Sequence, residues 1–246
     1  MNRFPITPII KQILIGCIVL FAGTFLLKQR QIIDLNMVLA MFYPNSPFFK
    51  PWQIITHMFM HGSLAHIIFN MFALVSIGVI IERFLGPKKF LQLYFFSGLG
   101  AIAVHVISQA VEIHYITGLW FPNFDQLGLI VDGDTLRSNG SVLKTQEVFD
   151  KVATTVFSPV LGASGAIYGV VAAFAFLFPN TELMVMFIPY PVKAKYLVPG
   201  FIVLDIVLGF SSIQGDSIAH FAHIGGALSG LGLVYFWRKF DKRNFY

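Results

Sequence analysis

Apolar residues in this chain gather into long blocks separated by short polar ones, and six blocks approach or reach the length of a membrane-crossing helix: 9–27, 64–81, 90–111, 160–178, 196–210 and 218–237. A hydrocarbon core of roughly 30 Å takes about 20 helical residues. Backbone groups in lipid must be satisfied within the protein, so a bundle of helices is the natural architecture. The pattern therefore predicts an all-α membrane protein with six transmembrane helices. The stretch 183–191 is also apolar, but it is short and closed by Pro189 and Pro191, and it reads as an interfacial turn. The first block has the length of a signal peptide. It lacks a small-residue cleavage site and is followed by Lys28-Gln29-Arg30, which predicts an uncleaved anchor.

Composition agrees with the pattern. The 246 residues are 56% hydrophobic and 12% charged, and the mean hydropathy is +0.74, far from the soluble norm of about one quarter charged. The single cysteine, Cys17, lies in the first block and cannot form an intrachain disulfide. Basic residues mark one side. Arg3 and Lys11 precede or open the first span, Arg83, Lys88 and Lys89 join the second and third, Lys193 and Lys195 join the fourth and fifth, and Arg238, Lys239, Lys242 and Arg243 follow the sixth. The positive-inside rule makes that side cytoplasmic and places both termini there, in what reads as a plasma (inner) membrane. The net charge of +5 is then a rim against anionic lipid, and no nucleic-acid partner is needed.

The first outer loop, 28–60, carries Ile32, Ile33, Leu35, Val38, Leu39 and Phe42 on a rough helical period, ending at Pro44-Asn45-Ser46-Pro47. It is expected to lie partly in the interface. His61-Gly62-Ser63 leads into the next span at Leu64-Ala65-His66, and Asn70 follows one turn later. His66 and Asn70 share a helix face near its outer end, two donors aimed at one point, which suits an oxyanion. With His57 and His61 they also raise zinc. Neither a His-Glu-x-x-His pattern nor a carboxylate beside them in the span is present, so no metal or cofactor is expected. His105 reads as a packed or interfacial residue. The outer insertion 112–158 is long for a connection. Its acids Asp125, Asp132, Asp134, Glu147 and Asp150 outnumber Arg137, Lys144 and Lys151, and 142–156 has the spacing of an amphipathic helix.

The fourth span holds Gly162-Ala163-Ser164-Gly165-Ala166-Ile167-Tyr168-Gly169. A serine in a membrane helix usually bonds back to its own backbone or eases helix contact. Here Pro159 and Gly162 put Ser164 in the first turn, where unpaired amides and the helix dipole favour a developing negative oxygen. Gly165 and Gly169 leave room for a second helix, and Tyr168, one turn below Ser164, could wall the site. The helix expected to approach is the sixth. His223, Gly226 and Gly230 form one stripe on it, so His223 would project near its outer end, able to take the serine proton. His220 is the rival base, one turn nearer the loop and off the stripe. A Ser-His-Asp triad could be sought with Asp205 or Asp216, but the sequence does not support that reading, and Asp205, the one acid deep in an apolar run, reads as a structural hydrogen-bond partner.

These three motifs, Gly162-Ala163-Ser164-Gly165, His61…His66-x-x-x-Asn70 and Ala222-His223-x-x-Gly226-x-x-x-Gly230, resemble in order and placement those of the rhomboid intramembrane serine proteases. The resemblance covers 52–230 apart from the outer insertion, and Glu82 and Gly86 match the Glu-x-x-x-Gly that closes the second span in that family. It implies a six-helix rhomboid-like bundle forming one membrane domain, with a Ser164–His223 dyad lacking a third acid. It also implies an oxyanion site from His66, Asn70 and the Ser164 amide, and Tyr168 packed on His223. The implied partners are the lipid bilayer and transmembrane protein substrates, cut near their extracytoplasmic ends. The Trp-Arg pair many members carry in the first outer loop is missing, and the outer insertion is a second departure. Two other classes stay open: a catalytically silent relative that binds transmembrane helices, and a small-solute transporter, for which no internal repeat is seen.

Overall fold

The structure is a computed structural model describing residues 5–132, 135–184, 190–211 and 220–240. Arg3, Asp134, Pro189, Asp216, Ile218, Lys242 and Arg243, which carried parts of the sequence reading, lie outside the described residues. Helices occupy every apolar block. Helix α1 is Pro8–Gln29, and α2 (Leu35–Leu39) and α3 (Gln53–Thr56) lie in the loop that follows, α3 leading into a 3-10 turn, His57–Phe59. The second block holds α4 (Leu64–Ala73), a π-helical turn (Leu74–Gly78) and α5 (Val79–Leu85), and α6 runs over Pro87–Thr117. Among the described residues, three helices are long and apolar enough to cross a membrane: α1, the continuous Leu64–Leu85 and α6. The remaining blocks hold α9 (Ser164–Leu177), α10 (Ala194–Ser211) and α11 (His220–Phe240).

The basic positions meet at one end of the bundle. Arg83 Nη2 donates to the Pro5 carbonyl at 2.8 Å, drawing the end of α5 to the start of α1, and Lys89 Nζ sits 5.5 Å from the Trp237 ring at the end of α11. Glu82 anchors this end. Thr7 makes no side-chain cap for α1; instead the buried Glu82 carboxylate accepts from the amides of Ile9 and Ile10, each at 3.0 Å, and from the Thr7 hydroxyl. A carboxylate at a helix start satisfies amides that have no partner within the helix. Gly86, at φ +81°, makes the sharp turn from α5 to α6.

Small residues let α9, α6 and α11 touch backbone to backbone. A Cβ built on Gly226 would lie 1.9 Å from the Gly165 carbonyl oxygen, and one on Gly230 would lie 2.5 Å from Gly169 Cα. On the neighbouring stripe of α11, a Cβ at Gly225 would lie 2.6 Å from the Gly100 carbonyl oxygen of α6, and one at Gly169 would meet Ser97 Oγ at 2.0 Å. The third span thus forms one wall of the seam, a part that sequence reading did not give it.

Several boundaries differ from expectation. The fourth helix begins at Ser164, not at 160, because Pro159 has no N–H to donate and Val160 pairs instead with Met41 of the outer loop. At 14 residues α9 is about 21 Å long, short of the hydrocarbon thickness. The third helix runs six residues past 111 to Thr117, where Gly118 closes it in the left-handed conformation. The helical period expected over 32–42 shrinks to α2, started by Asp34, whose carboxylate accepts from the Asn36 amide, and ended where Ala40 turns extended. The turn expected over 183–191 is bounded by a two-stranded ladder, β3 (Glu182–Leu183) on β4 (Val192–Lys193).

The outer insertion is built as a small module. It contains α7 (Phe124–Leu127), an antiparallel pair β1 (Leu129–Asp132) and β2 (Thr135–Ser138), and α8 (Gln146–Phe157), the amphipathic helix expected over 142–156. Leu127, Leu129, Leu143, Val152 and Val156 bury a core with Ile113 of α6 and Tyr43 of the first outer loop. The two outer segments are therefore packed together.

Candidate active site

Ser164 is the first residue of α9, and the strand before it is held on both sides. Val160 and Met41 exchange backbone hydrogen bonds at 2.7 and 2.8 Å, and the Gly162 amide donates to the His57 carbonyl at 3.0 Å. Gly162 has φ +138°, a conformation that favours glycine, and a Cβ there would stand 2.9 Å from His66 Nε2 and 3.5 Å from Ser164 Oγ. Glycine at 162 thus permits both the turn into α9 and the approach of the His66 ring.

His223 lies in the first turn of α11, on the stripe that continues into Gly226 and Gly230. Its Nε2 is 3.0 Å from Ser164 Oγ, and its ring stacks on Tyr168 with centroids 4.1 Å apart and planes 8° from parallel. Its other nitrogen, Nδ1, is 3.2 Å from Asp205 Oδ1 of α10. The same oxygen is 2.6 Å from Nδ1 of His220. With the proton on Nδ1 donated to the carboxylate, Nε2 is left as an acceptor for the serine hydroxyl, which is the arrangement a general base requires.

The structure thus separates the two histidines that sequence left as rivals. His220 is engaged with Asp205, and His223 touches the serine. Asp205, expected as a structural hydrogen-bond partner, has the two histidines as its partners, so the two-residue arrangement implied by the resemblance has a third member within hydrogen-bond reach. The signal was present, an acid in an apolar run, but its direction was not.

His66 lies in the first turn of α4, where Ser63 caps the helix by accepting from the His66 amide at 3.1 Å. Its ring stands edge-on to His61, centroids 5.1 Å apart. Asn70 is buried, and its Nδ2 donates to the His66 carbonyl at 3.1 Å on its own helix. His66 is therefore brought to the edge of the serine turn, while the Asn70 bond recorded here stays within α4. Below Asn70 the π-helical turn re-phases the second span, a distortion common at functional sites.

In the outer loop, burial holds the pKa of His57 and of His61 down to about 4. His57 Nδ1 donates to the Gln53 carbonyl at 2.9 Å. Gln53, fully buried, accepts from the Lys50 amide and donates to the Phe48 carbonyl, tying the loop into the wall behind the serine turn. Among the described residues, the donor atoms of Asp205, His220 and His223 lie within 4.8 Å of one another, a spacing a metal could bridge. The hydrogen bonds among them account for the same closeness.

Comparison with known proteins finds a family model described as the Rhomboid domain matching residues 49–129 and 135–240. An uncharacterized mitochondrial rhomboid protein of Schizosaccharomyces pombe is 30% identical over 197 residues, covering 73% of this chain and 48% of that protein. The mitochondrial Rhomboid protein 1 of Saccharomyces cerevisiae is 27% identical over 185 residues, 75% of this chain and 41% of that protein. The mitochondrial presenilin-associated rhomboid-like protein of Bos taurus is 26% identical over 234 residues, 92% of this chain and 49% of that protein. The chain spans about half the length of these relatives, or less. Their names overturn the expectation of a plasma membrane, since each is called mitochondrial. The basic rim on which that expectation rested reports which side of a membrane a loop stays on, and says nothing of which membrane it is.

Proposed function

The chain belongs to the rhomboid family, and on that premise we propose that it is an intramembrane serine endopeptidase that cuts transmembrane segments of other proteins. The observation that carries the reading is the 3.0 Å contact between His223 Nε2 and Ser164 Oγ at the tip of a short helix. In this mechanism Ser164 Oγ–H gives its proton to His223 Nε2 as the oxygen attacks the scissile carbonyl. The negative oxygen that forms is met by the Ser164 amide and the positive end of α9, with His66 and Asn70 as further donors. The imidazolium returns its proton to the leaving amine. Water, activated by the same imidazole, then releases the acyl group from Ser164.

Access follows from depth. The tip of α9 lies on the side away from the basic rim, and a helix of about 21 Å that reaches that rim leaves its serine below the opposite lipid surface. A substrate strand unwinding near that end would reach it, and a soluble protein would not. The relatives' names support a mitochondrial membrane as the setting of this reaction.

The test uses the full chain, purified in detergent and returned to liposomes. A fluorophosphonate should label Ser164, and Ser164→Ala or His223→Ala should abolish cleavage of a membrane-anchored substrate. Undiminished cleavage by Ser164→Ala would refute the reading. Capture of transmembrane segments by wild type with neither labelling nor cleavage would restore the silent binder.

A further inference from the structure

We propose that Asp205 is a positioning residue for this reaction, holding His223 in the one tautomer that can accept the serine proton, with His220 as the group that holds Asp205. The inference rests on the proteolytic reading above and goes beyond it, since the resemblance to the family implies a Ser164–His223 dyad without a third acid.

Three observations carry it. Asp205 Oδ1 is shared: His220 Nδ1 lies 2.6 Å from it and His223 Nδ1 lies 3.2 Å from it. A carboxylate oxygen has lone pairs for both N–H groups, so the two contacts are compatible. The shorter one fixes where the oxygen sits. All three side chains are shielded, Asp205 at 7%, His220 at 6% and His223 at 12% side-chain exposure, so water does not readily replace the carboxylate as acceptor. Finally, the imidazole is clamped in its own plane by the Tyr168 ring, 8° from parallel. Stacking fixes the plane of the ring but not which nitrogen carries the proton. Only a group at Nδ1 decides that, and Asp205 is the group found there.

The geometry also explains why an acid is kept at this depth. An ionised side chain inside a bundle is costly unless it meets partners, and a structural need for one hydrogen bond would be met by an amide or hydroxyl at lower cost. A carboxylate only accepts, so it forces both histidines to present N–H. An amide at the same place can donate instead, turning His223 over to the tautomer with its proton on Nε2, facing Ser164.

The experiment uses the full chain in liposomes, with cleavage of a membrane-anchored substrate as the rate measurement and histidine-selective ¹⁵N NMR of the detergent-solubilised protein as the second readout. The His223 signals are assigned by their loss in His223→Gln. Wild type should carry the His223 proton on Nδ1 at neutral pH, and a proton found on Nε2 overturns the proposal without any Asp205 variant. Asp205→Asn, nearly isosteric, should lower kcat by about 10²–10⁴, the span of general-base catalysis, whose upper end is the loss seen when the aspartate of a serine-protease triad becomes asparagine, with KM changed less than about threefold. Its His223 should shift towards the Nε2–H form. Asp205→Glu should recover part of the rate. If Asp205→Asn cleaves at the wild-type rate while Ser164→Ala is dead, the inference fails and the proteolytic reading stands. If Ser164→Ala still cleaves, the reading itself fails.

Discussion

Gly226→Ala tests whether helix contact sets the catalytic spacing. An added Cβ would stand 1.9 Å from the Gly165 carbonyl oxygen and 2.7 Å from its carbon, and such contacts essentially never fall below 3.0 Å. Helix α11 must therefore retreat from α9 by about 1.1 Å, the difference between those two oxygen distances, because backbone on both sides leaves no side chain to swing away. His223 is one turn away on the same stripe, and a rigid shift of that size along the line of contact takes its Nε2 from 3.0 Å to about 4 Å from Ser164 Oγ, beyond hydrogen-bond reach. Misplacement by about 1 Å can cost roughly 10² in rate, and losing the base altogether costs about 10²–10⁴. The expected fall in kcat is therefore at least about 10². Gly232→Ala on the same helix is the matched control, since among the described residues nothing beyond its own stretch of helix lies within 4 Å of its Cβ position; its activity should be unchanged, and its melting temperature unchanged or slightly raised by helix propensity. Both variants are compared by cleavage of a membrane-anchored substrate, by the rate of Ser164 labelling with a fluorophosphonate, and by thermal melting. Cleavage by Gly226→Ala within about threefold of wild type would mean that the seam does not set the spacing.

Three further outcomes follow from other parts of the molecule. Glu82→Ala strips the Ile9 and Ile10 amides of their acceptor and should destabilise the protein by about 1–3 kcal/mol, seen as a lower melting temperature; the site lies at the other end of the bundle, so a loss of activity in the still-folded fraction would contradict the assignment. His57 and His61 are held neutral by burial, with pKa values down to about 4 in the fold against about 6.5 unfolded. The unfolded chain binds protons first, so stability is intact above about pH 6.5 and is lost as the pH falls towards 4, by about 2 kcal/mol per histidine at pH 5. Melting temperature should drop from pH 7.5 to 5 and drop less in His61→Phe; a flat profile in wild type would refute this. His66→Ala should lower kcat by up to about 10²–10³ with KM little changed, and Asn70→Ala should follow it if the amide turns from the His66 carbonyl to the reacting oxygen; a full wild-type rate in either variant removes that residue from the oxyanion site.

What could be read from the sequence follows the cost of polar groups in lipid. Ser164, His66, Asn70 and His223 stood out because each is a polar side chain in an otherwise apolar run, and Gly226 and Gly230 because glycine there weakens a helix unless something presses against it. The direction in which each group points was harder to see. Helix α10 is apolar nearly all round, so nothing in its pattern says which face meets α11, and Asp205 could be placed in a span but not on a partner. Ser97 and Gly98 gave no compact constellation, and Gly100 gave no signal, for a related reason: small residues in the third span mark a contact only when the facing element is known, and Gly169 faces Ser97, Met58 faces Gly98 and Gly225 faces Gly100. The late start of the fourth helix was signalled by Pro159, yet the pairing of Val160 with Met41 joins positions 119 residues apart and is a property of the fold.

The site divides its requirements among separate elements. Distance between serine and imidazole is set by glycines lying deeper in the bundle, where close approach needs no polar group. The path of the chain into α9 is set from the outer side, by the Met41 pairing and the His57 carbonyl. The proton's place on the imidazole falls to a further element, α10, through Asp205. Because these restraints come from separate helices, each can be removed while the others stay in place. Gly226→Ala should leave the His223 proton on Nδ1 but weaken the contact with Ser164. Asp205→Asn should preserve the spacing and misplace the proton. A single loosened bundle could not give those two signatures separately, so finding both, each in its own variant, would tie the chemistry to this arrangement of helix tips.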